Sequence, residues 1–211
     1  MNGIHDVALF VAAGLLLNLT PGPDMTYIAA RSVAGGFRDG AAATFGITAG
    51  CVAHTIAAAA GLSALLAASA AAFEIIKWCG AAYLLYAGIR MIVGAKAYRT
   101  NMPHRTLPPA APSKIFREAF VINVFNPKVA LFFLAFLPQF IAVDAPAKTL
   151  SFVLLGCLFN FNSLFVNLPV AWLVSRAGRG LRDSARWSRW ITGAVGGLFV
   201  LLAARLATLE K

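Results

Sequence analysis

Within the first 30 residues, an apolar run long enough to cross a bilayer is interrupted by Thr20-Pro21-Gly22-Pro23-Asp24. About 20 consecutive apolar residues span the hydrocarbon core. Inside it an unpaired backbone group costs several kcal/mol, so a broken helix survives only where it is buried in protein or lines a cavity. An acid at such a break reads by default as part of a substrate or ion path. A small transporter is the expectation.

Five further apolar runs join the first, giving candidate spans at about 7–30, 41–66, 72–93, 118–141, 149–174 and 190–208. The chain is 60% hydrophobic and only 12% charged, a balance that few soluble folds tolerate. Its net charge of +10 does not point to nucleic acid, because aromatic residues are not interleaved among the basic ones. The stretch 94–116, with Pro103, Pro108, Pro109 and Pro112 among basic residues, separates two halves, 1–93 and 117–211, of three spans each. The expected fold is an all-α integral membrane protein. Its six transmembrane helices form two inverted three-helix repeats, with the first and fourth helices broken.

Orientation follows from lysine and arginine. They gather after span 1 (Arg31, Arg38), in the central stretch (Arg90, Lys96, Arg99, Arg105, Lys114, Arg117) and before span 6 (Arg176, Arg179, Arg182, Arg186, Arg189). These loops are expected in the cytoplasm and both termini in the periplasm. The first apolar run is expected to be a retained helix, since Met1 to Asp6 lack the positive start of a cleaved signal. The arginines from 176 to 189 share one helical face beside Trp187 and Trp190. They suit either a short interfacial helix on anionic lipid headgroups or a solvated loop.

The two halves echo each other. Pro23-Asp24 in span 1 matches Pro127-Lys128 in span 4, and Trp78-Cys79-Gly80-Ala81 matches Trp190-Ile191-Thr192-Gly193-Ala194. Paired helix breaks at corresponding points are the best sequence pointer to a transporter binding site. Pro21 and Pro23 interrupt span 1, and Gly22 lets the backbone bend. Pro23 then suits the first position of a new half-helix with Asp24 in its first turn, while Asn126 suits an N-cap and Pro127 a first residue. Two half-helix N-termini are expected to approach the midplane from opposite sides, with N–H donors fit for a carboxylate.

Lys128 lies near the middle of span 4, where a lysine costs about 2.5–3.5 kcal/mol even on lenient scales and needs a partner. Asp24 is the first choice. The two form either a fixed ion pair or the poles between which a zwitterion slips. His54 is a packed, hydrogen-bonded histidine or a proton relay. Thr48, Asn160 and Asn162 are expected to line the cavity, although interhelical hydrogen bonding is the default for the asparagines of span 5, Asn167 included. Asn18 and Asn123, beside the two breaks, are expected to satisfy freed backbone groups. Cys51, Cys79 and Cys157 lack ligand spacing and read as packing residues, so no metal or other cofactor is expected. No hydrolase, zinc-protease, Walker or dinucleotide motif appears, and no catalytic residue is assigned.

Four segments together carry a family resemblance. They are Asn18 to Asp24, Gly80 to Arg90, Asn126-Pro127-Lys128 with the apolar residues to Phe133, and Phe136-Leu137-Pro138-Gln139-Phe140. The chain resembles the LysE/RhtB amino-acid exporters over nearly its whole length. The resemblance implies proton-driven export of amino acids from the bacterial cytoplasm across the inner membrane, and a homodimer. It implies that residues 20–24 and 126–128 frame the substrate site. The Gly50 to His54 stretch resembles the branch that exports homoserine, threonine and other neutral amino acids; exporters of basic amino acids, or of a metal cation on the same fold, are the alternatives. Ala119 stands where many members have glycine.

Overall fold

A computed structural model describes residues 3–20, 22–62, 107–142 and 144–177, with isolated helical positions between 78 and 93 and between 197 and 204. Pro21, Cys79, most of the third and sixth expected spans, residues 94–106 of the expected linker and the arginines from 179 to 189 lie outside the described residues. The described part is helical apart from short turns. α1 runs Val7–Leu19, α2 Pro23–Ala57 with a π-helical extension Ala58–Leu62, and α3 Pro112–Val124. α4 is Pro127–Leu131, continued by a π turn Phe132–Phe136 and a 3-10 turn Leu137–Phe140; α5 is Lys148–Ala177.

Among the described residues two helices, Pro23–Gly61 and Lys148–Arg176, are long and apolar enough to cross a membrane. A third crossing arises if α3 and the segment Pro127–Phe140, bent by 49°, count as one span. The break in the first apolar run and the break at 125–126 therefore both exist. The loop expected after span 1 is reduced to a turn at Gly36 (φ 75, ψ −166), a positive-φ conformation open to glycine, and helix runs on through Arg31 up to it. The chain doubles back there: a Cβ on Gly40 would collide with Ser32 Oγ, and Ile28 and Ile47 share one core, whereas a straight helix would hold them about 28 Å apart. At the other boundary, Pro112 opens α3 inside the stretch expected to be linker, because proline suits the first helical position.

Packing explains the small residues of α2. A Cβ on Gly50 would stand 2.6 Å from Asn123 Oδ1, and one on Gly46 would stand 2.6 Å from the Ala119 Cβ. So α2 and α3 approach closely enough that glycine is required on one side, and Ala119 is fully buried in that contact. Two cores result. Phe10, Phe132, Phe133, Phe136, Phe140 and Phe159 stack among α1, α4 and α5, with Phe132 and Phe159 centroids 4.5 Å apart. Ile28, Ile47, Ile115, Ala119 and Ala171 join α2, α3 and α5. Outside, Phe45, Ile56, Phe161 and Phe165 are exposed, a surface suited to lipid.

Candidate functional site

The first break closes its own helix end. Thr20 turns to extended backbone, its N donates to Leu16 O and Leu17 O, and its Oγ1 donates to Leu16 O at 2.8 Å. α2 restarts at Pro23, with Asp24 in the first turn, where the helix dipole favours a carboxylate. Gly22 is extended (φ −153), so it supplies room instead of an unusual backbone angle. A Cβ there would stand 2.7 Å from Asp24 Oδ1 and 3.1 Å from Lys128 Nζ.

The second break mirrors it. Asn126 caps α4 by accepting from Lys128 N at 3.0 Å, and Pro127 occupies the first turn. Lys128 reaches across to the first break, where its Nζ is 3.0 Å from both oxygens of Asp24. It also donates to Leu17 O and Thr20 O, each at 3.3 Å. An ammonium has three N–H groups. One carboxylate and two carbonyls at the end of α1 occupy them all. Asp24 and Lys128 are neighbours, and both breaks meet at that pair.

Lys128 thus takes over the role expected of Asn18. The Asn18 amide donates instead to Gly14 O at 2.9 Å, one turn back within α1. At the second break the freed carbonyl of Asn123 accepts from Asn126 N at 2.9 Å and from His54 Nε2 at 3.2 Å. A carbonyl only accepts, so the proton of His54 is on Nε2 in this contact. The ring stacks on Phe133 with centroids 5.6 Å apart. His54 is therefore both packed and hydrogen-bonded, and it borders the second break.

The expected cavity residues separate. Asn160 Nδ2 donates to Thr55 Oγ1 at 3.3 Å, which places it against α2 on the same side as Cys51. Asn162 turns away and donates to Val11 O at 3.3 Å, bracing α1 against α5. Two residues apart on a helix point in different directions, so only one of the pair reaches α2. Thr48 is half-buried and donates to Thr44 O within its own helix. Asn167 donates to Ser163 Oγ. Among the described residues no three His, Cys, Asp or Glu side chains gather as a metal site would require.

A second charged cluster was not foreseen. Arg31, assigned to a loop by its charge, lies in α2 and is only 4% exposed. Its Nη2 donates to Glu118 Oε2 at 2.8 Å, its Nε to Tyr27 Oη at 3.0 Å and its Nη1 to Pro108 O at 3.2 Å. Tyr27 Oη donates to the same Glu118 oxygen at 2.5 Å. The readable signal was spacing: Asp24, Tyr27 and Arg31 fall at i, i+3 and i+7, on one face of a helix. That face meets Lys128 and Glu118 of the second half, so two cross-half ion pairs of opposite sense join α2 to α3 and α4.

The family model described as LysE type translocator matches residues 15–210. The chain is 29% identical over 213 residues to the leucine efflux protein of Salmonella choleraesuis (strain SC-B67), covering 99% of this chain and 98% of that one. It is 30% identical over 199 residues to the homoserine/homoserine lactone efflux protein of Salmonella typhi, covering 94% of each. No solved structure matches significantly.

Proposed function

The chain belongs to the LysE type translocator family, a family of transporters and not of enzymes, and from that premise we propose that it exports neutral amino acids or their derivatives from the bacterial cytoplasm in exchange for protons. The observation that carries this reading is the Asp24–Lys128 pair, held at 3.0 Å where both helix breaks meet. Residues 20–24 and 126–128 then frame the substrate site, with Pro21, Gly22, Pro23 and Pro127 shaping the breaks and Asn126 capping the second. The whole architecture is read as six spans in two inverted repeats in the inner membrane, with both termini periplasmic and a dimer as the assembly.

The coupling role falls to Asp24, with His54 as a second titratable group beside the other break. Lys128 keeps Leu17 O and Thr20 O whatever Asp24 does. Those carbonyls let the carboxylate take a proton, or turn to a substrate ammonium, without leaving the lysine bare in a low-dielectric site. A neutral substrate fits this arrangement because Asp24 and Arg31 are each already paired, with Lys128 and Glu118. A cationic side chain would need an acid beyond these. The relatives named for leucine and homoserine efflux are named for neutral amino acids.

The test is efflux from cells overloaded with single amino acids. Wild-type protein is expected to lower internal leucine or homoserine, whereas Asp24→Asn and Lys128→Met insert normally and export nothing. Full export by well-expressed variants would reduce the pair to structure. Wild-type cells that shed a metal cation and no amino acid would overturn the substrate class.

A further inference from the structure

Three buried amide atoms on α3, α5 and the turn before α4 have no hydrogen-bond partner among the described residues: Asn123 Nδ2, Asn126 Nδ2 and Asn160 Oδ1. The three side chains are 0%, 1% and 9% exposed. A buried polar atom without a partner carries a desolvation cost, and in a native site it marks where a ligand or a water belongs. For Asn126 and Asn160 the other end of the amide is fixed, which sets the identity of the bare atom. Asn126 Oδ1 accepts from Lys128 N, so its NH2 group points elsewhere. Asn123 Oδ1 faces Cys51 Sγ at 3.5 Å, leaving its NH2 bare. Asn160 donates its NH2 to Thr55 Oγ1, leaving its oxygen bare.

Two of these anchors, Cys51 and Thr55, lie along one face of α2. Thr55 Oγ1 in turn donates to Cys51 O, so the anchors of Asn123 and Asn160 are four residues apart, a rise of about 6 Å. The turn between Asn123 and Asn126 is closed by Asn126 N on Asn123 O at 2.9 Å, which keeps the two bare donors in one short segment. Donors therefore stand at one end of this polar strip and an acceptor at the other. That polarity is the polarity of an α-amino acid, whose carboxylate accepts and whose ammonium donates. The saturated Lys128 ammonium, by contrast, has no N–H left for a carboxylate. Beside the strip, Phe133 packs on His54 and meets Phe159 edge-on with centroids 5.3 Å apart, an apolar wall without charge.

We propose that Asn123 and Asn126 hold the carboxylate oxygens of the transported amino acid through their amide NH2 groups, and that Asn160 Oδ1 accepts from its ammonium. The proposal rests on the export reading above and deepens it. It moves recognition of the substrate backbone from the ion pair to a set of neutral amides and leaves Asp24–Lys128 to coupling. Neutral groups at both ends select a substrate by where it donates and accepts, not by net charge.

The test uses the full-length protein in liposomes, with counterflow of labelled leucine. The competitors are unlabelled leucine, leucinamide, which lacks the carboxylate, and 2-hydroxy-4-methylpentanoate, which lacks the ammonium. Asn126→Asp keeps the cap acceptor and Asn123→Asp keeps the oxygen facing Cys51, and each replaces the bare donor by an acceptor that carries negative charge. Both are expected to weaken competition by leucine about tenfold or more without weakening competition by leucinamide, because a bond to the substrate carboxylate is replaced by repulsion of it. Asn160→Leu is expected to erase the preference for leucine over the hydroxy acid. Preferences that stay within twofold of wild type in all three variants, or a uniform loss for every competitor, would overturn the proposal and leave the amides to bound water. A wild-type protein that takes up neither labelled leucine nor labelled homoserine sinks the export reading itself, and this inference with it.

Discussion

Replacing Lys128 by methionine keeps most of the side chain and removes its charge. Asp24, with a side chain 5% exposed, is then left as a buried carboxylate, and Leu17 O and Thr20 O lose the donor that spans the break. At a separation of 3.0 Å and an effective dielectric near 20, the lost attraction is about 5.5 kcal/mol. Removing one partner of a buried pair generally costs about 3–5 kcal/mol, and the two bereft carbonyls place this site toward the upper end. Asp24→Asn is milder, since the amide oxygen still accepts from Lys128 and both carbonyl contacts remain; about half that loss is expected. In the double variant the uncompensated charge is gone. It is therefore expected to be more stable than Lys128→Met alone by about 2 kcal/mol, so the two single losses are far from additive. Denaturation of the four proteins in one mild detergent, followed by circular dichroism, measures the cycle. Additive losses, or a Lys128→Met variant within about 1 kcal/mol of wild type, would refute the view that the pair is buried and mutually dependent.

The outer cluster responds differently because Glu118 can reach solvent. Arg31→Met leaves a carboxylate whose side chain is 37% exposed, so a loss of about 1–2 kcal/mol is expected, smaller than for Lys128→Met in the same assay. Tyr27→Phe deletes two charge-assisted hydrogen bonds, one to Glu118 and one from Arg31, and is expected to cost about 2–3 kcal/mol. Gly50→Leu drives a side chain into Asn123, 2.6 Å from where its Cβ would stand, and is expected to cost about 1–3 kcal/mol and to broaden elution from a sizing column. A reporter active only in the cytoplasm, fused after Lys211, is expected to be silent; activity there would reverse the proposed orientation.

Both breaks were legible because proline cannot continue a helix and polar residues are rare in apolar runs. The same logic located Asp24, Lys128 and Asn126, and the cap on α4 formed as its residues dictated. Charge statistics were a poorer guide. They placed Arg31 in a loop, yet α2 carries on through it to a kink at Gly36, because burying Arg31 against Glu118 and Tyr27 supplies the partners that a helical arginine needs. Composition likewise grouped Asn160 with Asn162, although helical geometry sends one toward Thr55 and the other toward Val11.

The sequence by itself determined that this chain is helical and apolar, that its first apolar run and the run over 118–141 are interrupted, and that an acid and a base lie at the interruptions. Those follow from local rules: backbone donors, ring closure in proline and the cost of bare polar groups in hydrocarbon. Only the tertiary structure decided that Lys128 saturates itself on Asp24 and two carbonyls of α1, and that three asparagines keep bare amide atoms around α2. A side chain's partners depend on which helices meet and at what depth, and pairs 104 residues apart become neighbours only after packing brings the halves together.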